Sequence, residues 1–201
     1  KDRLLRTADF SLRYCDAAAN AVRNVTFELK NGDRIALDGA NGCGKTSLVK
    51  AILACNKDGE AVSSDYKTTG ILEVPQNLII SYISQDTSHL KGSLRDFARE
   101  KRLDYTLLLA LLRQLDFERV LFDKDMELYS EGQKKKVLIA SSLLTPAHLY
   151  IWDEPLNYID VYTRMQIEKL LLAFQPTMLF VEHDVRFKET IATGVLHMER
   201  N

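Results

Sequence analysis

The 201-residue chain holds one domain's worth of material, or one domain with a small insert, and 46% hydrophobic with 27% charged residues can bury a sizeable core. A formal net charge of -1 argues against whole-domain binding to nucleic acid or an anionic membrane through bulk charge, leaving only a local patch. The longest apolar run, Leu107 to Leu112, is six residues, far short of the ~20 that a membrane span requires.

Cys15, Cys43 and Cys55 are too few and too irregularly spaced for a disulfide framework or a zinc site, so free thiols in a reducing cytosol are expected. A start at Lys1 rather than methionine is expected of a piece cut from something longer, and no signal peptide, disordered linker or internal repeat is visible.

In chain order, Ala8 to Tyr14 and Val25 to Leu29 alternate like half-buried strands. Arg34 to Asp38 reads as a strand entering a Gly-rich turn, and a helix is predicted from Gly44 to about Ala54. Ile71 to Val74 and Leu78 to Ser84 read as two more strands. From Leu94 to Leu144 the pattern is almost wholly helical. Strands return at Leu149 to Trp152 and Met178 to Val181, separated by a helix from Ile159 to Phe174. Short β-rich runs alternating with longer helical ones predict an α/β core interrupted by a helical insert at about 86–145 and then resumed.

Gly39-Ala40-Asn41-Gly42-Cys43-Gly44-Lys45-Thr46, followed by Ser47, fits G-x-x-x-x-G-K-[ST] between a predicted strand and a predicted helix. The glycines let the backbone curl so that its N–H groups point inward at phosphate oxygens. The helix adds its positive N-terminal end, Lys45 a point charge for the β/γ-phosphates, and Thr46 a hydroxyl for Mg²⁺. This is a nucleoside triphosphate site. Cys43 reads as a small filler inside the loop.

Leu149 to Trp152 end in Asp153 and Glu154. A carboxylate at a strand's carboxyl end beside a phosphate loop can hold Mg²⁺ through its water shell, and Asp153 takes that role. Glu154, pointing the other way, can polarise the attacking water. A lysine run at Lys134 to Lys136 reads as a solvated helix face; the alternative is a local contact with phosphates.

With these motifs in place, the sequence from about Phe10 to Glu199 resembles the ATP-binding cassette (ABC) family, whose remaining elements follow in the family's order. Tyr14, 31 residues before Lys45, stands where the family stacks an aromatic ring on adenine, although alone it would read as a strand-end aromatic. Gln85 looks like the Q-loop glutamine that reaches Mg²⁺ and the attacking water. Ser130-Glu131-Gly132-Gln133 resembles the signature motif, Leu156 to Asp160 looks like the D-loop, and His183, 29 residues after Glu154, looks like the switch histidine. The resemblance implies a P-loop NTPase fold. Its parts would be an α/β core at about 1–85 and 146–201, an antiparallel β subdomain, and a helical signature subdomain at about 86–145.

The resemblance also implies that the signature acts in trans, Ser130, Gly132 and Gln133 closing over ATP on a partner cassette's phosphate loop. One copy per chain is then half of a sandwich glued by ATP and released by hydrolysis. The family usually writes Leu-Ser-Gly-Gly-Gln; here Tyr129 replaces the Leu and Glu131 the first Gly. A negative side chain there is expected to weaken closure on a neighbouring γ-phosphate.

Glu131 to Ala140 and His148 to Asn157 are similar to the ABC-F family, and nearest in wording to its streptogramin- and lincosamide-resistance group. That likeness implies the second cassette of a cytoplasmic protein whose interdomain linker reaches the ribosome's tRNA and rRNA. Two other readings stay open: the motor domain of an ABC membrane transporter, and a non-catalytic module in which ATP only fixes a dimer's shape.

Overall fold

The computed structural model of the protein describes residues 2–59 and 63–199. Strands β1 (Arg3–Tyr14) and β2 (Val22–Lys30) pair antiparallel, and β1 also pairs antiparallel with a later strand, β4 (Tyr66–Glu73), giving the order β2-β1-β4. The second sheet is parallel. Its strands are β3 (Arg34–Asp38), β5 (Ile80–Ile83), β6 (Leu149–Asp153), β7 (Met178–Val181) and β8 (Gly194–His197), in the order β5-β6-β7-β3-β8. Between β3 and β4 lies α1 (Lys45–Asp58).

Every residue of β6 and β7 is buried, as a parallel strand covered on both faces requires. Their side chains alternate between two cores. Tyr150, Trp152, Met178 and Phe180 join the cluster built with the later helices, whereas Leu149, Ile151, Leu179 and Val181 join the one shared with α1 and the antiparallel sheet. A strand's period of two thus glues one sheet to two layers.

Between β5 and β6 the chain forms α2 (Leu94–Glu100), α3 (Tyr105–Gln114) and α4 (Glu131–Leu144). The expected near-continuous helix is corrected at 115–130, where two 3-10 turns, Arg119–Leu121 and Met126–Leu128, replace it. Asp116 sits at φ 60° just past α3, a left-handed residue that ends the helix. All but the turn at Arg119–Leu121 start with a side-chain cap: Ser93 accepts from the Asp96 N–H, Asp104 from Leu107, Asp125 from Glu127 and Ser130 from Gln133. Helix α5 (Val161–Phe174) likewise starts after its cap, Asp160, and not at Ile159. The strand expected at Ile71 to Val74 begins earlier, at Tyr66. Helix α6 (Val185–Ile191) and β8 were not anticipated.

Buried polar atoms join the layers as well. The Trp152 indole donates to Ser142 Oγ at 2.9 Å, and Ser142 Oγ lies 2.7 Å from Ser81 Oγ, so α4, β5 and β6 share one hydrogen-bonded seam inside an apolar core. Among the described residues no helix is long and apolar enough to cross a membrane.

Phe180 is fully buried and meets Phe187 edge-on at 5.6 Å. Phe180→Ala should cost about 3–5 kcal/mol and lower Tm by roughly 10 °C in a calorimetric scan; an unchanged Tm would show that β7 is not the spine of the core.

Candidate functional site

The connections leaving the carboxyl ends of β3, β5, β6 and β7 meet at one edge of the parallel sheet, the edge at which open α/β sheets bind ligands. The loop after β3 runs from Gly39 to Gly44. Gly44 adopts φ 93°, and a Cβ there would stand 2.0 Å from the Ala21 carbonyl oxygen, so only glycine fits. Gly44 is also the N-cap of α1 and supplies no side-chain cap, which leaves the first-turn N–H groups as anion donors. Lys45 Nζ curls back to donate to Gly39 O at 2.6 Å and Ala40 O at 3.0 Å, with Cys43 Sγ 3.6 Å away. The Cys43 thiol is buried under the loop, the filler position expected for it.

Asp153, at the end of β6 and 1% exposed, receives the Thr46 hydroxyl on one carboxylate oxygen at 2.9 Å and the Gln85 amide on the other at 3.0 Å. Behind it, burial and then the charge of Asp153 push the Tyr82 phenol up to about 12, so it stays neutral. An open cavity of about 570 Å³ is lined by Tyr14, Asn41, Gly42, Lys45, Ser47 and Glu154, with Thr46, Gln85 and Gly44 also on its wall. Tyr14 OH lies 3.0 Å from Ser47 Oγ, and Tyr66 packs against the Tyr14 ring edge-on.

Glu154 follows Asp153 at φ 51°, a left-handed conformation that costs a non-glycine residue free energy and turns its side chain away from that of Asp153. Both of its carboxylate oxygens are engaged: His183 Nε2 stands 3.1 Å from Oε1, and the Asn157 amide donates to Oε2 at 2.9 Å. Glu182, buried, accepts from the backbone N–H of Leu156 and of His183, fixing both flanking loops. Asn157 and Glu182 were not among the expected site residues. Asn157 lies within the D-loop segment, three residues after Glu154, and the fold brings Glu182 to the backbone of Leu156 across 26 residues.

Ser130, Gly132, Gln133 and Asp160 do not join that cavity; they line a separate one of about 290 Å³ with Tyr158 and Lys136. Ser130 and Gln133 form a reciprocal capping box at the start of α4. A Cβ on Gly132 would come within 2.5 Å of the Tyr158 carbonyl oxygen, so glycine is required where the D-loop crosses the helix.

The sequence pattern of the ABC transporter family matches residues 22–157, more than half of the chain. The chain belongs to that family. Over 190 residues it is 30% identical to the ATP-binding protein Uup of Buchnera aphidicola, covering 90% of this chain and 30% of that one. Over 184 residues it is 26% identical to the ABC transporter F family member 5 of Arabidopsis thaliana, covering 88% and 25%. It therefore spans about a third or less of the length of these relatives. A solved structure of an inward-facing metal-chelate type ABC transporter superposes with a TM-score of 0.72 at 22% identity, covering 98% of this chain and 80% of that one. The parallel sheet, antiparallel β layer and phosphate loop are the P-loop fold of an ABC cassette. ABC cassettes bind ATP, are generally ATPases, and work as ATP-dependent dimers.

Within this cassette the lysine run departs from its expected solvated face. Lys135 is 2% exposed and Lys136 9%. Burial pulls Lys135 below the ordinary lysine range against the opposing pull of Asp153, Glu154, Glu131 and Glu182; its Nζ lies 3.5 Å from Gln85 O and 3.4 Å from Glu154 O. Lys136 Nζ reaches Asp160 at 3.5 Å.

Burial raises the Asp160 carboxyl, but hydrogen bonds from the Thr163 N–H and hydroxyl, with the Lys136 charge, outweigh it and hold the group below the usual carboxylate range. A depressed folded-state value gives stability that is present above the unfolded value of about 4 and is lost as pH falls through the folded one. Asp160→Asn keeps the cap, so it should lower Tm by about 2 °C at pH 7, with the gap closing on acidification below pH ~4; a gap unchanged by acid would remove the charge from the account.

Proposed function

We propose that this cassette hydrolyses ATP with Mg²⁺ as one half of an ATP sandwich, in a cytoplasmic ABC-F protein that acts on the ribosome. The observation that carries the chemistry is the convergence of Thr46 and Gln85, both on the wall of the 570 Å³ cavity with Glu154 and Lys45, on the buried carboxylate of Asp153. Among the described residues no group of three acid, histidine or cysteine side chains gathers to cage a metal. One carboxylate, one hydroxyl and one amide are hard oxygen donors, the set that suits a Mg²⁺ ion keeping waters and phosphate oxygens. Thr46, Asp153 and Gln85 would hold that ion, whose charge neutralises what develops on the transferred phosphoryl group.

The remaining roles follow from position. Tyr14 offers its ring to the base at the mouth of the cavity. The N–H groups of Asn41, Gly42 and Gly44, with Lys45, grip the phosphates once Lys45 Nζ exchanges the Gly39 and Ala40 carbonyls for phosphate oxygens, and the Cys43 N–H joins them by leaving Ala40 O. Glu154 accepts the proton of the attacking water; His183 and Asn157 hold its carboxylate in register, and His183 reaches the γ-phosphate. General-base help of this kind is typically worth ~10²–10⁴-fold. Ser130, Gly132 and Gln133, with Asp160 of the D-loop, face the nucleotide of the second cassette, in keeping with their separation from this chain's own cavity.

Glu154→Gln should bind ATP and stay closed on it, with turnover down by at least ~100-fold; near-normal turnover would strip Glu154 of its role. Lys45→Ala should abolish ATP binding in a titration, and retained affinity would undo the phosphate-loop assignment. Absence of turnover in the intact wild-type protein would favour a module in which ATP only sets shape.

The ABC-F assignment is supported by likeness to the Arabidopsis F family member and by the wording Asp153-Glu154-Pro155-Leu156-Asn157. The streptogramin- and lincosamide-resistance role is supported by the wording of Glu131 to Ala140 and of His148 to Asn157. With Glu154→Gln and the matching change in the second cassette, the intact parent should co-sediment with ribosomes in ATP. Partition into membranes with a span-bearing partner would instead make this a transporter's motor domain.

A further inference from the structure

Of the two residues that depart from the usual signature, Glu131 is not on the wall of the cavity that Ser130 lines. Its carboxylate accepts a hydrogen bond of 2.6 Å from the hydroxyl of Thr87, in the loop that follows β5. Thr87 is 4% exposed although it lies in a loop. That loop is itself pinned: Ser88 N–H donates to the Asp86 carboxylate, the Leu90 N–H to Thr87 O, and the Ser84 hydroxyl to Asp86 O. The Lys135 ammonium, one turn along α4, adds a favourable field on the same side. The carboxylate is therefore drawn inward against its own chain by a short charge-assisted bond from a fixed donor.

A negative group at the first residue of a helix competes with any anion for the same positive helix end. We propose that Thr87 is a positioning residue: it holds the Glu131 carboxylate back, so that α4 presents the Ser130 hydroxyl and its first-turn N–H groups, and no carboxylate, to a facing phosphate. Glu131 then costs closure little, and the expectation that it weakens the grip is met by a partner the motif does not contain. This rests on the reading that the signature faces ATP on a second cassette.

The test uses the intact two-cassette parent with Glu154→Gln in this cassette and the matching change in the other. A fluorophore on each cassette reports the ATP concentration that gives half-maximal closure. Thr87→Ser, which keeps the hydroxyl, should close like the parent. Thr87→Val, of nearly the same shape, should need about fivefold more ATP. Thr87→Val with Glu131→Gly should return to the parent value, a rescue that a merely misfolded loop would not show. Closure of Thr87→Val at the parent concentration overturns the proposal, and so does failure of Glu131→Gly to rescue it. If the Glu154→Gln parent itself does not close with ATP, the sandwich reading falls first and this proposal with it.

Discussion

The carboxylate of Asp153 is an anion at the end of a strand buried on all sides, and the organisation of the site follows from keeping it satisfied. An unpartnered buried charge would cost several kcal/mol. Its two oxygens are met from sequence separations of 107 and 68 residues, by Thr46 at the start of α1 and by Gln85 beyond β5. Those bonds demand that β3, β5 and β6 end at one level. The parallel register of β5 on β6, β6 on β7 and β7 on β3 delivers that alignment. The apolar runs of β6 and β7 therefore do more than fill a core: they set the height at which four loops meet.

Next to that satisfied acid stands a strained one. Glu154 is left-handed and precedes Pro155, which disfavours the ordinary helical alternative for it. The strain is held by bonds on every side: its backbone N–H donates to Val181 O, its carboxylate is bracketed by Asn157 and His183, and Glu182 fixes the two loops that carry them. Two consecutive carboxylates thereby face different partners, one buried against a hydroxyl and an amide, the other directed into the cavity. The division of labour proposed for them, a metal-binding acid and a base, needs that divergence.

The parts of this arrangement that could be read from the sequence are those whose geometry is local. Gly39 to Thr46 specify their own turn, and Leu149 to Asp153 announce a buried strand ending in acids, so the phosphate loop, both carboxylates and the α/β class were legible, whereas Gln85 stood out only through the resemblance to a known family. What was not legible is decided between elements. Nothing in Lys134 to Lys136 says that Lys135 is buried, because three of its four counter-charges, Asp153, Glu154 and Glu182, come from β6 and from two loops. Seven-residue α6 and four-residue β8 are too short to carry a period, and they exist because β3 needs a second parallel neighbour. Residues 115–130 kept an apolar pattern through two 3-10 turns because Leu115, Phe117, Leu121 and Met126 still face the core.

One consequence reaches beyond this chain's own cavity. Helix α4 begins with the capping box of Ser130 and Gln133, yet the same helix is tied to the loop of Gln85 through Thr87–Glu131 and through Lys135, and to β6 through Ser142 and Trp152. Gln85 in turn holds Asp153 and lies within 3.5 Å of Thr46. A close-packed interior transmits small shifts instead of absorbing them. A shift of the Gln85 backbone would therefore act on the Lys135 contact and, through the loop it shares with Thr87, on the start of α4. The residues proposed to hold the phosphates and metal of one nucleotide and those proposed to grip the other are thus built on one connected unit, and the departure at Glu131 is one of the bonds that make it so.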